Sequence, residues 1–332
     1  MNELYPLKFE PIIKSKIWGG NSLAKSFNKP QGSLPNIGES WEISGIQENL
    51  SVVANGFLAG NNIEEIIEVY MGDITGDAIY EKFGNEFPLL IKLIEAKEDL
   101  SIQVHPGDSL AKKRHSAYGK TEMWYILENE SGAKIYTGFN EGVTKEIYEE
   151  AMKTGDISNL LNTEKAEKGD VFFIPAGRVH ALGAGVTLVE IQQTSDITYR
   201  IFDWNRQTSG VEKRELHTEL ALDALDFSET SKRKKINIRP EMNASRNLVN
   251  CCFFNTNILR FNEKLSKDYY FNDSFVIYIC LEGEFTVRCD HSAEKVAKGE
   301  TILLPAMIKE VTLEPLGESQ VLEIYINSES SI

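Results

Sequence analysis

The chain has 332 residues, 42% hydrophobic and 26% charged, enough to bury a large core in one big domain or two. Lys and Arg total 35 against 50 Asp and Glu, and the net charge of −15 argues against nucleic acid or an anionic membrane as partner. No apolar run reaches the roughly 20 residues of a membrane helix, and the opening MNELYP lacks the regions of a signal peptide, so a cytoplasmic protein is expected.

In chain order, residues 62–70 carry apolar positions at spacings of three and four, which predicts a helix. Short apolar or β-branched runs follow at 87–94 (FPLLIKLI) and 123–127 (MWYIL), each predicting a strand. A second helical pattern covers 144–161, strands are expected at 171–174 (VFFI) and 186–191 (VTLVEI), and a last helix around 215–225. The fold class is therefore mainly β, an antiparallel sandwich or barrel with a few added helices. Cys251, Cys252, Cys280 and Cys289 show no CxxC spacing and read as buried free thiols.

One pattern occurs twice. GDVFFIPA at 169–176 is matched by GETILLPA at 299–306, and each copy follows an earlier strand pattern, WYILE at 124–128 and IYICLEG at 277–283. Such repetition predicts two related β-barrels, residues 1–234 and 235–332, joined by the basic polar stretch SKRKK at 231–235. His180 stands five residues after Pro175, whereas Glu310 stands five after Pro305, so only the first barrel is expected to bind metal.

Gly169, Pro175, Gly177 and His180 form G-x5-P-x-G-x2-H, which resembles the second motif of the cupins. QVHP at 103–106 and KTE at 120–122 resemble the zinc segment of type I mannose-6-phosphate isomerases. The similarity extends to IWGG at 17–20, GESWEIS at 38–44 and TSDITYR at 194–200. Only about thirty residues separate Phe139 from Gly169, so the resemblance is to the short bacterial form, without the large helical domain of longer members. It implies two cupin-type jelly-roll barrels, one zinc ion per chain, a sugar-phosphate substrate, and a monomer or small homo-oligomer.

Zinc takes three or four N and O ligands at about 2.0–2.2 Å and keeps a position open in catalytic sites. Gln103 and His105 alternate along one strand and so share a face, and with Glu122 and His180 they make the expected ligand set. His115, His217 and His291 lack such a motif and read as surface or satisfied core residues. Moving a proton between C1 and C2 of a sugar needs a base, a charge that stabilises the enediolate and a proton relay. Arg200 matches the family's catalytic Arg, and its planar fork suits an enediolate or a phosphate. Glu190 is the candidate base, and Lys120 would transfer protons or hold the phosphate. Asp196 is expected to orient Arg200 in a buried pair or to meet the substrate, and Lys92, which interrupts an apolar strand, to point into the pocket. Arg178 and Arg206 read as solvated charges. A cupin oxygenase or decarboxylase and a non-catalytic sugar-binding cupin are the alternatives; the former usually carries a further His, and here Pro106 and Gly107 follow His105.

Overall fold

A computed structural model describes residues 3–155, 157–206, 214–228 and 235–327. The first unit contains twelve strands: β1 Ile12–Lys14, β2 Glu39–Ser44, β3 Leu89–Ala96, β4 Ile102–Val104, β5 Glu122–Asn129, β6 Lys134–Phe139, β7 Leu161–Lys165, β8 Asp170–Ile174, β9 His180–Leu182, β10 Val186–Gln193, β11 Tyr199–Phe202 and β12 Lys235–Asn237. They form a seven-stranded sheet in the order β1-β2-β3-β10-β5-β8-β12 and a five-stranded sheet in the order β11-β4-β9-β6-β7. The second unit contains β13 Ala244–Asn250, β14 Asn255–Phe261, β15 Leu265–Asp268, β16 Val276–Glu282, β17 Glu284–Cys289, β18 Ser292–Ala297, β19 Thr301–Leu304, β20 Glu310–Pro315 and β21 Ser319–Tyr325. Its sheets run β13-β14-β21-β16-β19 and β15-β20-β17-β18. The mainly β class and the doubled architecture are as expected, with each unit built as two facing sheets.

The two large sheets pack against each other, which explains why their strands read as continuous apolar runs. On β3, Leu89, Ile91 and Leu93 face outward into a core shared with Ile277, Ile279, Leu303, Leu322 and Ile324 of the second unit. Ile94 and Ala96 face inward, into a cluster with Trp124, Ile126, Phe172 and Leu188 between the two sheets of the first unit. A third core lies inside the second unit around Phe261, Tyr278, Phe285 and Leu313. Four sheets are thus stacked in layers.

Seven α-helices decorate the described stack: α1 Ser22–Phe27, α2 Ile63–Tyr70, α3 Gly72–Thr75, α4 Asp77–Phe83, α5 Asp108–His115, α6 Lys145–Thr154 and α7 Thr218–Ala224. The helix expected over 144–161 ends at Thr154, because Gly155 adopts φ 83° and stops it; a 3-10 turn, Ile157–Leu160, follows. The last predicted helix shortens to α7. The polar α5, with Ala111 its only buried residue, carries no apolar stripe that sequence could show. Among the described residues no helix is long and apolar enough to cross a membrane.

Three expectations need correction. The boundary at 234 falls inside the first unit, because β12 pairs with β8 and Lys235 Nζ lies 2.7 Å from the buried Asp170 carboxylate; the second unit's sheets begin at Ala244. Of the expected linker, residues 231–234 lie outside the described residues. The cysteines are free, but only Cys280 is buried, and Cys252 is exposed in the turn between β13 and β14. Arg178 and Arg206 are not solvated: Arg178 is buried with Nη1 donating to Phe173 O at 2.8 Å, and Arg206 donates to Asp99 O.

Helix α2 begins with a capping box. Asn62 Oδ1 accepts from Glu65 N at 3.0 Å, and Glu65 Oε2 accepts from Asn62 N at 2.8 Å. Asn62→Ala is expected to lower the unfolding free energy by about 1 kcal/mol, read from urea titration; an unchanged midpoint would show that the box adds nothing to Ile63, Ile66 and Ile67 packing beneath it.

Candidate active site

The inward residues of the first unit meet as two facing rows. In the five-stranded sheet the register pairs Arg200 with Gln103, Gln103 with His180 and His180 with Thr137. Residues directly opposite in an antiparallel pair share a face, so Arg200, Gln103 and His180 project together. In the seven-stranded sheet the pairs run Trp41 to Lys92, Lys92 to Glu190 and Glu190 to Trp124. One rung further along, Gln192 faces Glu122.

His105, Glu122 and His180 converge, with one ligand atom from each lying within 4.8 Å of the others. His105 Nε2 is 3.5 Å from Glu122 Oε2, and His180 Nε2 is 3.4 Å from Glu122 Oε1. The far side of each ring is already committed: Nδ1 of His105 meets Ile197 O at 2.8 Å and Nδ1 of His180 meets Arg178 O at 2.9 Å. A carbonyl only accepts, so each Nδ1 carries the proton and each Nε2 offers a lone pair to the centre. His105 Nε2 and both Glu122 oxygens are buried without a hydrogen-bond partner. Three orphaned electron-pair donors around one point are what a divalent cation would satisfy. Gln103 sits beside them, its Nε2 donating to His180 Nε2 at 3.3 Å, and Ser101 Oγ donates to Gln103 Oε1 at 3.4 Å.

Burial, with Lys120 and His180 adding to it, holds the His105 pKa well below the usual imidazole range. Burial likewise pushes His180 down to about 4, so both rings are neutral near pH 7. Glu122 is pushed up by burial and by the neighbouring Glu190 charge, more than Lys120 can offset. Glu190 moves the other way: burial opposes its charge, but Lys120, Lys92 and the Trp124 N–H outweigh it.

The surrounding charges form one buried network. Lys92 Nζ donates to Glu190 Oε1 at 3.1 Å and Trp124 Nε1 to Glu190 Oε2 at 2.9 Å. Lys120 Nζ lies 3.0 Å from Glu122 Oε2 and 3.8 Å from Glu190 Oε1, forming an ion pair with each. Although burial works against its charge, the pair of carboxylates keeps Lys120 an ammonium, with its pKa above the ordinary lysine value. Lys92 thus points inward.

A cleft of about 360 Å³ opens over this floor, a size suited to a small ligand. Lys92, Lys120, Gln103, His180, Glu190, Asp196 and Arg200 all line it. Arg200 is half-buried; its Nε donates to Ser101 Oγ at 3.3 Å and its Nη1 to Glu215 O at 2.9 Å. His217 braces it from behind, accepting the Arg200 backbone N–H at 3.1 Å. Among the described residues Arg200 has no ion-pair partner, so the expected buried pair with Asp196 does not form. Asp196 is exposed at the rim, on the turn after β10, where its carboxylate turns to water and the cleft mouth. His115 bonds the Tyr199 hydroxyl at 2.8 Å and His291 pairs with Glu3 at the surface, both away from the centre.

Sequence reasoning assigned no site role to the cleft residues Lys16, Trp18, Glu39, Trp41, Ser101, Trp124 and Arg214. The IWGG and GESWEIS segments prove to be one contact. A Cβ on Gly19 would meet Gly38 N at 2.6 Å, and a Cβ on Gly38 would lie 3.0 Å from the Trp18 ring. This backbone crossing aims Trp18 into the cleft, while alternation on β2 aims Glu39 and Trp41 there. That alternation was legible in sequence; the Gly-to-Gly contact was not.

Residues 6–140 match the family model for the catalytic domain of phosphomannose isomerase type I, and residues 244–326 that for the mannose-6-phosphate isomerase cupin domain. Over 319 residues the chain is 33% identical to mannose-6-phosphate isomerase ManA of Bacillus subtilis, covering 94% of this chain and 97% of the relative. It is 32% identical to the mannose-6-phosphate isomerase of Streptococcus mutans, covering 92% and 93% respectively. The crystal structure of the mannose 6-phosphate isomerase from Bacillus subtilis superposes with a TM-score of 0.82 at 28% identity, over 97% of this chain and 99% of that one. An apo structure from Salmonella typhimurium shares the fold at TM-score 0.75 and 17% identity. With a relative above 30% identity along nearly its whole length and both halves matching, the chain belongs to the type I mannose-6-phosphate isomerase family.

Proposed function

We propose that the chain is a zinc-dependent isomerase that interconverts mannose 6-phosphate and fructose 6-phosphate through an enediol, by proton transfer between C1 and C2. The observation that carries this reading is the convergence of His105, Glu122 and His180 beside a cleft lined by lysines and Arg200. His105, Glu122 and His180 would hold the metal, and a half-turn of the Gln103 amide would present its oxygen to the same point. A zinc ion so held would polarise the sugar's O1 and O2 as a Lewis acid.

The protein groups divide the remaining work. Arg200, which has no ion-pair partner among the described residues, is placed to meet the phosphate or the enediolate with its fork. Lys120, kept charged by Glu122 and Glu190, is a proton donor to a developing alkoxide. Lys92 adds a second buried cation on the same side. Asp196 makes no ion pair among the described residues and is the cleft carboxylate left free to meet the sugar. Two His and one carboxylate also suit non-haem iron; a pocket furnished with cations for an anion favours the isomerase.

Purified protein should turn over each sugar phosphate, lose the activity on chelation and regain it with zinc. Full activity in metal-free protein would sink the zinc reading, and no turnover after zinc is restored would sink the isomerase reading. Arg200→Ala should lose about 10²-fold or more in kcat/KM, with its metal content unchanged by elemental analysis; full activity would remove Arg200 from the chemistry.

The metal-free protein should also lose stability in acid through His180. A folded-state pKa of about 4, below the ordinary 6.5, gives stability present above pH 6.5 and lost as pH falls toward 4. Unfolding midpoints across that window should fall less steeply in His180→Gln, and equal slopes would contradict the assignment.

A further inference from the structure

The repeated G-x5-P segment allows the two units to be laid over each other rung by rung. Phe172 and Ile302 each stand third after the repeat's glycine. From Phe172 the register crosses to Trp124, then Glu190, then Lys92. From Ile302 it crosses to Tyr278, then Glu323, then Asn257. Glu323 is therefore the second unit's counterpart of Glu190, on the corresponding central strand and equally buried, at 2% and 4% exposure.

The surroundings of the two carboxylates correspond as well. Each accepts a hydrogen bond from the flanking strand on one side, Lys92 Nζ at 3.1 Å or Asn257 Nδ2 at 2.8 Å. Each also accepts from the aromatic on the other side, Trp124 Nε1 at 2.9 Å or Tyr278 OH at 3.5 Å. The facing sheet completes the parallel. Gln103 pairs with His180 in the first unit, and the inward pair at that place in the second is Lys267 with Val311. Glu310, the residue at the same distance from proline as His180, is exposed, so the strand is offset by one residue. Lys267 Nζ sits 2.7 Å from Glu323 Oε1, and the Tyr269 hydroxyl donates to the same oxygen at 2.5 Å. Where the first unit assembles ligand atoms, the second inserts an ammonium.

A carboxylate that persists in the unit without metal ligands is explained by what it holds, not by chemistry on a substrate. We infer that Glu190 is a positioning residue and not the proton-transfer base: it seats the Lys92 and Lys120 ammonium groups beside the metal ligands. This departs from the role expected from sequence and rests on the isomerase reading above. Glu190 Oε1 faces both lysines and Oε2 accepts the Trp124 N–H, so both oxygens of this carboxylate are engaged in holding neighbouring side chains. Without it, two buried cations would stand beside the metal with only Glu122 and the more distant Glu39 to offset them.

The test uses zinc-loaded wild type, Glu190→Gln, Lys92→Met, the double variant and Glu323→Gln. Glu190→Gln should lose about 10–100-fold in zinc affinity and in kcat, with the acidic limb of the kcat pH profile retained. Lys92→Met in that background should restore zinc affinity, because one cation leaves with one anion. Glu323→Gln should lower the unfolding midpoint and leave kcat unchanged. Loss of the acidic limb in Glu190→Gln, as removal of a base would cause, overturns the inference. Zinc affinity unaltered in Glu190→Gln overturns it too, and zinc titration reads this even if wild type turns over neither sugar phosphate, which would count against the isomerase reading alone.

Discussion

Charge buried without water is the constraint from which the rest of this structure follows. Lys92, Glu122 and Glu190, inside a sheet covered on both faces, and Lys120, just before β5, lie at 5% exposure or less. An isolated charge there would be neutralised or would unfold the protein, so each needs an opposite charge at contact distance. The sheet register supplies it: Lys92 and Glu190 are direct cross-strand neighbours, and Glu122 comes one rung later opposite Gln192. A slip of one residue on β10 would turn Glu190 into the apolar interface between the units. The electrostatics of the cleft and the strand pairing are therefore a single specification.

The same network divides labour between acids and bases. Two imidazoles kept neutral by burial present lone pairs, while Lys120, kept charged by Glu122 and Glu190, presents protons. Lone pairs and ammonium protons within a few ångströms of one another are the two kinds of group that acid–base chemistry draws on. Proteins reach this by pushing the ionisation of neighbours apart, and here the lever is unequal burial and pairing of four side chains.

Much of the fold was readable because period-two alternation, Gly and Pro punctuation and the doubled G-x5-P segment are local signals. The clustering of His105, Glu122 and His180 was readable for a related reason, since His105 follows directly on β4 and His180 follows a motif. What escaped were features made by distant contacts. β12 looks like linker because its partner β8 lies more than sixty residues earlier. Asp196 looked like a partner for Arg200 by proximity in sequence, but the turn after β10 carries it to solvent while Ser101, Glu215 and His217 hold the arginine. Lys16 and Trp18 reach the cleft only because two glycine backbones touch.

The second unit donates more than a packing surface. Its Asp273 carboxylate accepts the backbone N–H groups of Asp77 and Ala78 at 2.9 and 3.0 Å, closing the start of α4 in the first unit. Leu7, near the opposite end of the chain, pairs with Leu303 on the edge of β19. Amputating residues 244–327 would leave an open helix end and bare the apolar side of the very sheet that carries Lys92, Glu122 and Glu190. The halves are therefore matched to each other: a chimera that exchanged one unit between distant relatives would have to bring along its matching interface, or leave the apolar side of the other exposed.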